Sequence, residues 1–167
     1  PTLVHRDAEN RDTIVREAAA ICLYLDDQFP AAGLMPPTKS RERAIALDWL
    51  IYLTNTVQAD LMVWNYNYRY AQTDSQKAVQ RDRAGARLVD MFKTLDQHLA
   101  ASGPWICGDA PNCADYFLLM LAGWGEQFGL SPLPSTNLAI RRHALACQAL
   151  PEVQTAFEAE NISAFFH

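Results

Sequence analysis

Apolar residues change their spacing along the chain, and each change marks an element. Thr2-Leu3-Val4-His5 and Thr13-Ile14-Val15-Arg16 are short β-branched runs on either side of a polar turn from Arg6 to Asp12, which predicts a hairpin. From Glu17 to Phe29 the period becomes helical: Ile21, Leu25 and Phe29 lie four apart, with Tyr24 beside them. Pro30 ends that helix, because the residue before a proline is driven out of the α region. Gly33 and Pro36-Pro37 then read as a linker.

Everything beyond the linker carries helical spacing. Thr38 or Ser40 can cap a long helix from Glu42 to about Tyr70, with Ile45, Trp49, Tyr52 and Leu53 on one stripe and a bend expected at Asn55-Thr56. A polar break at Thr73-Asp74-Ser75 precedes an amphipathic helix whose core positions are Leu88, Phe92, Leu95 and Leu99, and Ser102-Gly103-Pro104 stops it. Asn112 suits an N-cap, and Asp115, three residues on, completes a capping box, a structural role. The helix that follows, through Tyr116, Leu119, Met120 and Gly123, is apolar nearly all round and is therefore expected at the centre. Shorter helices are predicted from Asn137 to Cys147 and from Pro151 to Glu160. The fold class is mainly α: a helical bundle over residues 38–167, preceded by a strand-strand-helix unit over residues 1–33.

Composition narrows the function classes. Half of the 167 residues are hydrophobic, a fifth are charged, and the formal net charge is -5. The densest basic stretch, Arg81-Asp82-Arg83 with Arg87, is diluted by acids, so no nucleic-acid partner is expected. A membrane span needs about 20 consecutive apolar residues. The best candidates are broken by Asp48, Asn55 and Asp60, or by Glu126 and Gln127, so no membrane partner is expected either. The Pro1-to-Arg6 stretch lacks the regions of a signal peptide, which makes the cytoplasm the expected location. Cys22, Cys107, Cys113 and Cys147 form no C-x-x-C and lie beside no His at ligand spacing; they read as reduced packing residues, and no metal is expected. His5, His98, His143 and His167 are scattered.

Several stretches together carry a family resemblance. They are Pro1-Thr2-Leu3-Val4, the helix opening Glu17-Ala18-Ala19-Ala20-Ile21-Cys22-Leu23-Tyr24-Leu25, then Phe29-Pro30 and Leu34-Met35-Pro36. Further on come Gly103-Pro104-Trp105, Gly108-Asp109 and Asn112-Cys113-Ala114-Asp115-Tyr116. With these the chain resembles the glutathione S-transferase family over essentially its whole length. The resemblance implies a C-terminal helical domain and the end of a thioredoxin-like domain. It implies a site for glutathione on the latter and a cleft between the two for a small apolar electrophile. It places Glu17 and Ala18 at the γ-glutamyl end of glutathione, with Ala18 standing where the family usually has a Ser, and it makes Asn112 and Asp115 the family's capping pair. Gln58 and Asp60 fall where relatives place polar groups of the cleft or of the neighbouring subunit. The aromatic run Trp64-Asn65-Tyr66-Asn67-Tyr68-Arg69-Tyr70 either lines that cleft, through Trp64 and Tyr66, or packs at a helix end; packing is favoured because the run also ends the helix. Trp105 and Trp124 read as core residues.

The family's catalytic Tyr, Ser or Cys is expected ahead of Pro1, so no residue of this sequence is assigned to that role, and the missing initiator Met suggests a fragment or processed product. Two functions stay open: a transferase that adds the glutathione thiolate to an electrophile, and a non-catalytic scaffold or binding module of the same fold. A homodimer is the family's implied assembly.

Overall fold

The computed structural model describes residues 1–167. Strand β1 (Thr2–Arg6) pairs antiparallel with β2 (Asp12–Arg16) in the register Thr2 to Arg16 through Arg6 to Asp12, as the β-branched runs predict. The turn is held by Asp7, whose Oδ1 accepts from the Glu9 and Arg11 backbone amides at 3.0 and 2.8 Å. This is the Asx chemistry expected of a polar turn. Helix α1 (Ala18–Gln28) follows directly.

The face that α1 buries differs from the expected stripe. Phe29 is 57% exposed, whereas Ala18, Ala19, Cys22 and Leu23 rest on the main core and Asp26 is buried. A polar latch sets the rotation of the helix. Asp26 accepts from the Met35 amide at 3.0 Å and from Arg43 Nη1 at 2.8 Å, and both donors lie outside α1. Small residues on the face beside Asp26 let the helix approach closely, while Tyr24 turns to the hairpin and meets His5 Nδ1 at 2.6 Å. Apolar periodicity alone cannot anticipate a carboxylate that chooses the buried face.

The long helix expected from Glu42 to Tyr70 is interrupted. Ser40 caps α2 (Arg41–Tyr52), accepting from the Arg43 amide at 3.0 Å. One π-helical turn, Leu53–Val57, then leads into α3 (Gln58–Asn65), and a 3-10 turn spans Asn67–Arg69. The bend expected at Asn55-Thr56 is this widened turn. Thr54 Oγ1 donates back to the Leu50 carbonyl at 3.0 Å, an i−4 bond of the kind that bends helices.

Helix α4 (Asp74–Ser102) starts at Thr73, whose hydroxyl and Gln76 form a reciprocal capping box. Its Leu88, Phe92, Leu95 and Leu99 are all at most 2% exposed, as their spacing predicts. Helix α5 (Cys113–Gln127) is the central one, with ten buried residues. Helices α6 (Leu138–Gln148) and α7 (Pro151–Glu160) complete the bundle. The C-terminal segment folds back over α5: the Phe165 ring lies where a Cβ on Gly123 would approach within 2.4 Å, so only glycine fits there. Gln148 holds that segment by accepting from the Phe165 and Phe166 amides and donating to the Phe166 carbonyl. No helix is long and apolar enough to cross a membrane.

Candidate functional site

At the start of α1 the chain passes through a strained residue. Glu17 has φ 67° and ψ 127°, outside the regions that L residues prefer, and such backbone costs about 1–3 kcal/mol. No side chain caps α1, so the amides of its first turn are open. Strained backbone and unsatisfied helix-start amides meet in a cleft of about 320 Å³. Pro1, Glu17, Ala18 and Leu23 form one wall, and Ile51, Thr54, Asn55 and Gln58 form the other. Glu17 and Ala18, the residues expected at a γ-glutamyl group, therefore sit where backbone N–H groups and a helix dipole favour a carboxylate. Ala18 adds no hydroxyl donor to those amides.

A second cavity, of about 430 Å³, adjoins the first. Gln58, Leu61, Met62 and Asn65 supply one face of α3, Tyr66 and Arg69 follow from the next turn, and Trp124 and Phe128 close it from the end of α5. Gln58 lines both spaces, so a ligand in one is a neighbour of a ligand in the other. The volume and the aromatic lining suit a small organic molecule. The widened turn at Leu53–Val57 immediately precedes Gln58 and sets the phase of α3, a position typical of such turns.

The residues expected at the co-substrate cleft separate on this geometry. Gln58 and Tyr66 line the cavity; Asp60 and Trp64 do not. They lie four apart on the other face of α3, towards α4. Asp60 makes a two-pronged ion pair with Arg87 at 2.6 and 2.7 Å. Trp64 is 4% exposed, stacks under the Arg81 guanidinium at 4.3 Å, and packs on Gly85. Trp124, read as core, is half-buried and presents part of its ring to the cavity. Asn65 and Arg69, within the aromatic run, line the cavity too, and Leu61, Met62 and Phe128 are lining residues that the sequence does not single out. The i, i+3, i+4, i+7 stripe 58, 61, 62, 65 was visible in the sequence, but nothing marked it as facing a cavity rather than the core.

Elsewhere the chemistry is structural. Asp115 Oδ2 accepts from the Asn112 amide at 2.9 Å, and Asn112 Oδ1 accepts from the Ala114 amide at 3.0 Å, so the capping pair is formed as the spacing predicts. Asp115 also holds the Ile106 amide at 2.8 Å and His143 Nε2 at 2.9 Å, a partner that sequence reading missed because His143 looked isolated. The four cysteines are free. A hydrogen bond from the Cys113 thiol pulls the half-buried Cys22 thiol down to about 7 against the opposing effect of burial, and burial pushes Cys147 up. No group of His, Cys, Asp and Glu is arranged to hold a metal ion.

Comparison with known proteins converges on one family. A family model described as the glutathione S-transferase C-terminal domain matches residues 78–124. Among curated proteins, the chain is 26% identical over 147 residues to glutathione S-transferase GST-4.5 of Xanthomonas campestris pv. campestris, covering 87% of this chain and 70% of that protein. It is likewise 26% identical over 151 residues to glutathione S-transferase GstA of Escherichia coli O157:H7, covering 90% and 70%. Among solved structures, a glutathione S-transferase from Xylella fastidiosa superposes with a TM-score of 0.81 at 25% identity, over 92% of this chain and 73% of that one. A glutathione transferase from Methylococcus capsulatus str. Bath gives 0.73 at 29% identity, over 95% and 72%. A sphingomonad glutathione S-transferase, solved with glutathione bound, gives 0.69 at 26% identity, over 96% and 74%.

Proposed function

We propose, from the premise that this chain is a member of the glutathione S-transferase family, that its two adjoining clefts are the halves of a conjugation site. The smaller holds glutathione by its γ-glutamyl end, and the larger holds a small apolar electrophile. The observation that carries this reading is the single wall at Gln58 shared by the two spaces. Glutathione at the α1 end would place its thiol beside the neighbouring cavity, and proximity of that kind is the main physical requirement for thiolate addition. A sphingomonad glutathione S-transferase solved with glutathione bound supports glutathione as the ligand. The strain at Glu17 fits a residue kept for binding, since strained backbone persists where the surroundings over-determine it. The group that stabilises the thiolate is not assigned to any residue of this chain. A second copy of the chain is the proposed partner, to be tested by sedimentation equilibrium.

Calorimetry with glutathione tests the reading. Millimolar or tighter affinity is expected, and Glu17→Ala should weaken it about tenfold, as expected for loss of one hydrogen bond to a charged group. No heat with the wild-type protein, or an unchanged affinity in the variant, would sink it. Glutathione binding without conjugation of any aromatic electrophile would instead assign the protein to the scaffold and binding-module reading.

A further inference from the structure

We propose that the cavity between α3 and α5 selects aromatic ligands that carry a carboxylate, with Arg69 as the residue that sets this preference. The proposal rests on reading that cavity as the co-substrate's, and it names the substrate class.

Arg69 is the one charged side chain lining the cavity, and no carboxylate lines it. The neighbouring cations are already engaged. Arg87 is paired with Asp60, and Arg81 donates to the Trp64 carbonyl at 3.1 Å while covering the Trp64 ring. Arg69 forms no ion pair with any of the 19 acidic residues of a chain whose net charge is -5. Arg69 is thus an exposed, unpaired cation in an acidic protein, at the rim of a cavity whose other polar lining, Gln58 and Asn65, is uncharged.

Its head is also held in place. The guanidinium carbon lies 4.5 Å above the Tyr66 ring and 5.6 Å from Tyr68, and the two rings are edge-to-face at 6.1 Å. Stacking uses the flat faces of a guanidinium and leaves its N–H edge for a carboxylate, which it matches with two parallel hydrogen bonds. Trp124 and Phe128 supply flat apolar walls for a ring, and Leu61 and Met62 line the same space. The shape calls for a one- or two-ring aromatic acid, its ring among the apolar walls and its carboxylate at Arg69. A cationic electrophile would meet repulsion there, and a neutral one would leave the guanidinium's donors to water.

Titration of the protein with 1-naphthoate and with the uncharged 1-naphthamide, without glutathione, tests this by calorimetry. Naphthoate should bind about tenfold tighter than the amide, the size expected for a charge-assisted pair at a partly exposed site. Arg69→Met should abolish that preference, read as the ratio of the two affinities, and Arg69→Lys should keep part of it. Equal affinities in the wild-type protein, or a preference that survives Arg69→Met, would overturn the proposal. Because glutathione is left out, the two readings fail separately. A carboxylate preference with no glutathione binding overturns the transferase reading, and glutathione binding without the preference overturns this one.

Discussion

Glu17 and Cys22 lie on the same short stretch of chain and show how differently local surroundings treat two titratable residues. Glu17 is exposed and held by strained backbone at a cleft, while Cys22 is half-buried and its thiol meets that of Cys113. Two thiols in contact share their protons unequally. The neighbouring Cys113 thiol lowers the Cys22 value to about 7 against the effect of burial, while that of Cys113 rises. The thiolate is the reactive form, and a lowered value moves its appearance to lower pH. Iodoacetamide labelling, read by peptide mass mapping, should therefore reach Cys22 first, with a rate midpoint near pH 7. Cys113→Ala should move that midpoint up towards the ordinary thiol value of about 8.5. Cys107 and Cys147, buried and pushed upward, should stay unlabelled. Labelling of all four thiols with one common midpoint would refute the pairing.

At the scale of elements, helix ends decide how the bundle is joined. The α5 cap is local and was legible: Asn112 and Asp115 are three apart, and both halves of the box form. The same Asp115 also bonds Ile106 and His143, so one fully buried carboxylate joins the turn before α5, the cap and α6. Removing it strands several buried donors at once, each costing about 1–3 kcal/mol. Asp115→Ala should thus lower unfolding free energy by about 3–5 kcal/mol in urea denaturation, well beyond the 0.5–2 kcal/mol of a simple cap. A loss within the simple-cap range would mean that the Ile106 and His143 contacts are energetically idle. The α6 start, by contrast, was not legible. Its Ala139 and Ile140 amides are satisfied by Asp96, which lies on α4 more than forty residues earlier. No local spacing announces a cap supplied from another helix.

Over the whole molecule, the hairpin and α1 are tied to the bundle through few polar contacts. Asp26 binds Arg43 and the Met35 amide, and Arg43 also donates to the Pro36 carbonyl at 2.9 Å. The pair is nearly buried, with side chains 14% and 8% exposed, so breaking it leaves an unpaired guanidinium with partial access to water. Asp26→Ala should cost about 2–4 kcal/mol, somewhat under the loss for a fully enclosed pair. It should also lower hydrogen-exchange protection in α1 while α4 and α5 keep theirs. Equal loss of protection across all helices would show that the latch holds the whole fold rather than one joint.

The sequence by itself determined the elements and their type. β-Branched alternation made the hairpin, apolar three-four spacing made α4, the all-apolar run made α5 central, and prolines and caps set most boundaries. These signals depend only on residues a few positions apart, so they survive without coordinates. Asn112 and Asp115 were reachable in the same way, because they form a local capping motif, whereas Glu17 and Ala18 were reached only through the family resemblance. Only the tertiary structure decided which face of each helix is buried and which lines a cavity. Phe29 and Leu25 lost the inward face of α1 to Asp26 because a buried carboxylate with two donors outweighs an apolar stripe. Asp60 and Trp64 left the cleft because one π-helical turn fixed the phase of α3 against α4. Arg69 gained its place there because its guanidinium lies over the Tyr66 ring at the rim. Helix rotation is set by partners distant in the chain, and that information lies in the packing rather than in any local run of residues.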